Sequence, residues 1–192
     1  MNRIALIVGA TGGVGGAVAR ALLAEGWQVR ALHRDAARTA QQFAALGAID
    51  WVQGDALNPS EVSAAAAGVQ VVVHAANPPG YRNWKGLALP MLESSIAAAQ
   101  AVGARLVLPG TVYNYGPDVQ PLVDESAPQR PKTRKGAIRV AMEERLKQAS
   151  SAGLRVLILR AGDFFGAHVQ NSWFSQGLVK PGRALRSVTY PG

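Results

Sequence analysis

The sequence predicts a doubly wound α/β fold, a parallel sheet flanked by helices, on three observations. Short β-branched or apolar runs alternate with longer alanine-rich stretches along the chain. The run Val69–Ala75 is almost continuously apolar, as a strand covered on both faces requires. A glycine-rich turn lies between the first strand-like run and the first helical one.

Each element follows from its local pattern. Ile4–Val8 reads as the first strand, and the Ala/Leu-rich Val14–Glu25 as a helix that Gly26 ends. Val29–His33 is a second strand, Ala36–Leu46 a helix, and Ile49–Gln53 a third strand closed by Gly54-Asp55. A short helix runs from Pro59, a favourable first helical position, to Ala67. Val69–Ala75 is the fourth strand, after which Asn77-Pro78-Pro79-Gly80 breaks the chain. A long helix is expected over Trp84–Ala101 and a fifth strand over Arg105–Leu108, followed by a loop carrying Pro117, Pro121, Pro128 and Pro131. The helix Arg134–Ser151 ends before Gly153, and Arg155–Leu159 is the sixth strand. Beyond Phe165 the pattern frays.

Composition narrows the function classes. The 192 residues amount to one domain, and 48% hydrophobic with 17% charged residues make a packed core rather than a disordered chain. With no cysteine, a disulfide scaffold, a thiolate nucleophile and a Cys-ligated metal centre are excluded. His33, His74 and His168 are too scattered to suggest a metal site. No apolar run approaches the roughly 18–20 residues that span a bilayer, and the apolar start dissolves into glycines too soon for a signal peptide. A cytoplasmic protein without a membrane partner is expected. The net charge of +8 and pI near 10.4 invite a nucleic-acid reading. Against it, the basic residues are dispersed, with Arg130–Lys135 the nearest to a cluster, and few aromatics interleave with them. No nucleic-acid partner is expected.

The chemistry concentrates in Gly9-Ala10-Thr11-Gly12-Gly13-Val14-Gly15. One glycine permits a tight turn, another lets the backbone approach a pyrophosphate, and the third lets the helix pack against the strand. The helix N-terminus then turns free N–H groups and a positive dipole to the phosphates. Gly9, Thr11, Gly12, Gly13, Val14 and Gly15 are therefore the expected cradle. Asp55-Ala56 follows the third strand, where a carboxylate can meet an adenine edge. Ala75-Ala76-Asn77 follows the fourth, where small residues let a dinucleotide lie on the backbone. The second strand ends in His33-Arg34, at the place where an NAD-selective site carries an acid for the ribose 2′-hydroxyl. Arg34 suits a 2′-phosphate instead, which predicts NADP. The alternative turns Arg34 to solvent and puts Asp35 on the ribose, which predicts NAD.

With these residues the chain resembles the short-chain dehydrogenase/reductase superfamily, in its extended and atypical branch of NAD-dependent epimerases and dehydratases. The resemblance covers about residues 3–166 and rests on Gly9/Gly12/Gly15, Asp55, His74–Asn77, Thr111 with Tyr115-Gly116, and Arg160–Gly166. It implies a Rossmann-type domain over 1–166, with 167–192 as the start of an incomplete substrate-binding part of a chain that looks C-terminally truncated. It also implies that Thr111 hydrogen-bonds the reacting oxygen beside the nicotinamide. The family's catalytic Tyr-x-x-x-Lys, counted back from Glu143, falls on Lys135 and Arg139, so the spacing survives while both residues differ.

Proton transfer would then rest on Lys135 or Tyr113. A lysine partly withdrawn from water beside a second cation can deliver a proton near neutral pH, and Arg139 lies one turn from Lys135. Alternation along Thr111-Val112-Tyr113 would put Tyr113 on the side of Thr111. Arg139 would hold the cofactor. The leading reading is an oxidoreductase or epimerase/dehydratase acting on a carbonyl or secondary alcohol of a small molecule, sugar nucleotides among them. The competing one is a non-catalytic NADP-binding redox sensor or regulatory protein. The helices near Trp84–Ala101 and Arg134–Ser151 resemble those that pair subunits in this superfamily, which implies a homodimer.

Overall fold

In a computed structural model, strands β1 (Ile4–Val8), β2 (Gln28–His33), β3 (Ile49–Gln53), β4 (Val71–His74), β5 (Arg105–Thr111) and β6 (Val156–Ala161) pair into one sheet. All pairings are parallel and the strand order is β3-β2-β1-β4-β5-β6. Helices α1 (Gly13–Ala24), α2 (Ala36–Gln42), α3 (Pro59–Ala65), α4 (Trp84–Val102) and α5 (Arg134–Ser151) connect the strands. The structure describes residues 3–78, 83–119 and 122–162, with positions 164, 184, 186 and 187. The expected part over 167–192 lies almost wholly outside them. No described helix is long and apolar enough to cross a membrane.

The period of two along each strand divides the core into two layers. Leu6, Val8, Leu32, Val72, Leu106 and Leu108 pack on Val62 of α3, Leu92 and Ile96 of α4, and Met142 and Leu146 of α5. Ile7, Val29, Ala31 and Val73 face the other way, onto Ala19, Val18 and Leu22 of α1. Burial on both faces is the physical reason for the continuous apolar runs. At the sheet edge, Leu157 and Leu159 of β6 are exposed, the latter 58%.

Several expected boundaries shift. The helix expected over Ala36–Leu46 stops at Gln42, and a 3₁₀ turn, Ala44–Leu46, follows before Gly47 at φ 107°. Strand β4, Val71–His74, is shorter than its apolar run, and Gln70 leads into it with backbone bonds to Ile4 and Arg105. Strand β5 runs through Pro109 and Gly110 to Thr111, past the expected end at Leu108. The N–H of Arg105 bonds Gln70 on the β4 side, and that of Leu106 bonds Arg155 on the β6 side. By alternation Pro109 faces β4, whose ladder ends at Val107, so its missing donor costs nothing. In α4, Pro90 is accommodated after Gly86 at the position four residues earlier, where the proline ring would crowd the carbonyl.

Candidate functional site

Parallel pairing brings the carboxyl ends of all six strands to one edge, and the order reverses between β1 and β4. Such a reversal opens a crevice in which ligands of doubly wound sheets bind. Along this edge the chain places Asp55 after β3, His33-Arg34 after β2, Gly9–Gly15 after β1, Ala75–Asn77 after β4 and Thr111 at the end of β5. Four inter-strand steps of about 4.8 Å separate the two extremes, roughly 19 Å in all.

The glycines act through space. Gly9 has φ 100°, and a Cβ there would stand 2.6 Å from the Ala75 carbonyl carbon and the Ala76 nitrogen. A Cβ on Gly15 would overlap the Gly9 carbonyl oxygen. Gly12 N–H bonds Gly9 O at 3.1 Å, which closes the turn. Gly12 is the N-cap of α1 and no side chain caps the helix, so its first N–H groups are open to an acceptor. These residues fit a dinucleotide pyrophosphate, because the glycines bring backbone against backbone and no side chain caps the α1 N-terminus.

At the end of β2, Arg34 is exposed and its carbonyl accepts from Gln53. Asp35 is engaged differently: Oδ1 accepts from Arg38 N at 3.2 Å and caps α2, and its N–H bonds His33 Nδ1 at 3.0 Å. After β3, Asp55 Oδ1 accepts from Leu57 N at 2.9 Å and the Asp55 N–H donates to Glu61 Oε2 at 2.6 Å. Ala56, Ala75 and Ala76 are half-buried and Asn77 is exposed.

The nicotinamide end departs from expectation in two ways. Alternation does not carry Tyr113 to the side of Thr111, because β5 ends at Thr111 and Val112–Asn114 is a 3₁₀ turn. The Thr111 hydroxyl oxygen caps that turn, accepting from Tyr113 N at 3.2 Å, while the Tyr113 side chain is 41% exposed. Lys135 is likewise exposed, in the first turn of α5, so the partial burial expected of it is missing. Arg139, one turn on, is half-buried: its guanidinium lies 5.2 Å from the Trp84 ring and reaches the Pro109 carbonyl at 3.4 Å. Tyr81, whose ring the sequence would offer as a cover for a nicotinamide, lies outside the described residues.

His74 is buried beside this cluster, its Nδ1 2.8 Å from Ser95 Oγ. Ser95 Oγ also lies 3.3 Å from the Met91 carbonyl oxygen. Burial first, and then the charge of Arg139, lowers the His74 pKa from 6.5 to about 3. The folded pKa is the lower one, so its contribution to stability is full above about pH 6.5 and is lost as pH falls toward 3. A His74→Gln variant is expected to flatten the fall in Tm across that window. An unchanged slope would assign the acid sensitivity elsewhere.

What residue patterns missed is a chain of polar side chains, with Glu143 and Asn114 buried and Gln129 and Arg160 half-buried. Glu143, 1% exposed, accepts from Arg160 at 2.7–3.1 Å and from Gln129 at 2.8 Å, and Gln129 accepts from Asn114 at 3.0 Å. Hydrogen bonding to Glu143 raises the Arg160 pKa above its ordinary value. The one signal was an acid in an apolar helix face, a strand away from an arginine.

Comparison with known proteins accords with this geometry. The chain is 32% identical over 176 residues to a 3-diazoavenalumate denitrifying reductase of a Streptomyces species, covering 84% of this chain and 56% of that one. Among solved structures it is similar to UDP-glucuronic acid 4-epimerase from Bacillus cereus in complex with NAD, at TM-score 0.72 and 20% identity, over 85% of this chain and 57% of that one. UDP-glucose 4-epimerase from Brucella ovis in complex with NAD gives TM-score 0.72 and 19% identity, over 84% and 52%. The chain thus spans about half the length of these relatives, and the structural likeness speaks to the fold. Residues 9–168 match a family model described as NAD(P)H-binding, which begins on the first glycine of the cradle. With a Rossmann-type sheet, an open α1 N-terminus and that match, the chain belongs to the NAD(P)H-binding family.

Proposed function

We propose that the chain is the dinucleotide-binding part of an NADP-dependent oxidoreductase acting on a carbonyl or secondary alcohol of a small molecule. The observation that carries this reading is the contact of Gly9 with the Ala75-Ala76 backbone, which leaves the α1 N-terminus open at the β1/β4 crevice. Arg34 supports NADP over NAD, since it is exposed at the end of β2 while Asp35 is committed to capping α2. The bound nicotinamide would supply or accept the hydride.

The remaining work falls to the chain's own groups. The Thr111 oxygen accepts from Tyr113 N, so its proton is left to donate to the reacting oxygen. Lys135 on α5 and Tyr113 on the Thr111 turn are the two groups put forward as the proton donor, although neither has the burial or alignment expected of it. Arg139 holds the nicotinamide side of the cofactor. The 32% identity to a reductase favours reduction over epimerisation.

The test is a paired titration with NADPH and NADH, followed by quenching of the four tryptophans. NADPH is expected to bind more tightly, and Arg34→Ala to weaken NADPH by about tenfold to a hundredfold while leaving NADH nearly unchanged. Equal affinities in the parent chain would remove the assignment of Arg34, and binding of neither would sink the reading. A tight NADPH complex is then offered a panel of carbonyl compounds.

A further inference from the structure

The turn that follows Thr111 is tied to the sheet by this chain of polar side chains, and the chain has a direction. Arg160 donates from Nε and Nη2 to Glu143, so the carboxylate can only accept. Gln129 must therefore turn its NH2 to Glu143, and its carbonyl oxygen then faces Asn114. Asn114 in turn must present its NH2 to Gln129, which leaves its Oδ1, fully buried, with no protein partner. Side-chain amides are usually free to be assigned either way round; here the charge on Arg160 dictates both. Ordered donors and acceptors in such a chain also polarise one another.

The geometry points to Gln129 as a positioning residue: it couples the Arg160–Glu143 pair to Asn114 and so holds the Val112–Asn114 turn that the Thr111 hydroxyl caps. This role rests on the reading of Thr111 as the group that orients the reacting oxygen. The turn is clamped from a second side by α5, where Gly136 lies so close to the Tyr113 carbonyl that a Cβ would overlap it. A turn seated on a helix end and held by one amide keeps its hydroxyl in place only while that amide keeps its orientation. The groups facing Glu143 are Arg160 from β6 and Gln129 from the loop before α5. Arg160 is itself faced by the Tyr115 ring at 5.8 Å and by the charge of Glu125, whereas Glu93 of α4 is paired with Arg145. Arg139 lies one turn before Glu143 on α5.

The test uses Gln129→Glu, which keeps size and shape. While protonated, the introduced carboxyl donates to Glu143 as the amide did; once ionised, it sets two carboxylates against each other and the coupling breaks. In nitrogen–proton NMR spectra of the whole chain, the Tyr113 and Asn114 backbone signals and the Asn114 side-chain NH2 are expected to titrate between about pH 5 and 8 in this variant. The same signals stay flat in the parent chain and in Gln129→Glu/Glu143→Gln, which exchanges donor and acceptor. Gln129→Met, with no new charge, moves them without any pH dependence. Signals that do not move in either single variant overturn the proposal. With a substrate in hand, kcat of Gln129→Glu falls about tenfold from pH 5 to 8 relative to the parent, with cofactor affinity nearly unchanged. A parent chain that turns nothing over defeats the oxidoreductase reading, while the spectra still decide the coupling.

Discussion

Replacement of Gly15 by alanine is expected to weaken dinucleotide binding by about a hundredfold or more, roughly 2.7 kcal/mol, and to lower Tm. In an ordinary helix interior the same change stabilises by roughly 0.5–1 kcal/mol, because alanine loses less backbone entropy than glycine. Here the sign reverses. The new Cβ would overlap the Gly9 carbonyl oxygen and crowd Ala10 Cα at 3.1 Å, and both neighbours are backbone. Relief requires α1 to back away from β1, which costs about 1–3 kcal/mol and withdraws the open N–H groups from the phosphates. Each kcal/mol lowers Tm by about 2–4 °C in a chain of this size. Calorimetry and the NADPH titration read the two effects separately. A Gly15→Ala variant that is more stable and binds normally would mean that the cradle does not need the close contact.

Arg160→Met is expected to cost about 3–5 kcal/mol, read as a lower urea midpoint, because it strands the carboxylate of Glu143 in the core. The pair is asymmetric. Glu143 is 1% exposed, whereas the Arg160 side chain keeps 18% of its surface in water. Removing the acid leaves a cation that can still find solvent, so Glu143→Leu should cost less than Arg160→Met. Removing both should recover most of the loss, since a hydrophobic pair of similar volume avoids the desolvation of two charges. Gln129 also bonds Glu143, and its NH2 loses an acceptor in the double variant, so recovery falls short of complete. Equal costs for the two single variants would show that the asymmetry of burial does not govern the pair.

The cradle was legible because its demands are local. A turn that must bring backbone to backbone admits only glycine at Gly9 and Gly15, and the flanking strand and helix carry their own periodicities. The nicotinamide end was less legible. Strand alternation carried to Tyr113 runs two residues past the end of β5 at Thr111, because nothing in Val112-Tyr113-Asn114 announces that a threonine hydroxyl will cap a turn there. A proton role for Lys135 depends on its partial burial, and exposure is set by where the first turn of α5 stands relative to the preceding loop.

By itself the sequence determined the order of strands and helices along the chain, the two-faced burial of the sheet and the tight glycine turn between β1 and α1. Each of these depends on residues within a few positions of one another. Only the tertiary structure decided that Asp35 caps α2 while Arg34 stays exposed, that Arg139 lies on Trp84, and that Asn114, Gln129, Glu143 and Arg160 form one directed chain. Asn114, Gln129, Glu143 and Arg160 come from four separate segments, and which side chains meet across them is set by how the helices pack on the sheet. A polar side chain buried without its partner costs more free energy than a hydrogen bond returns, so packing and polar pairing must be satisfied together.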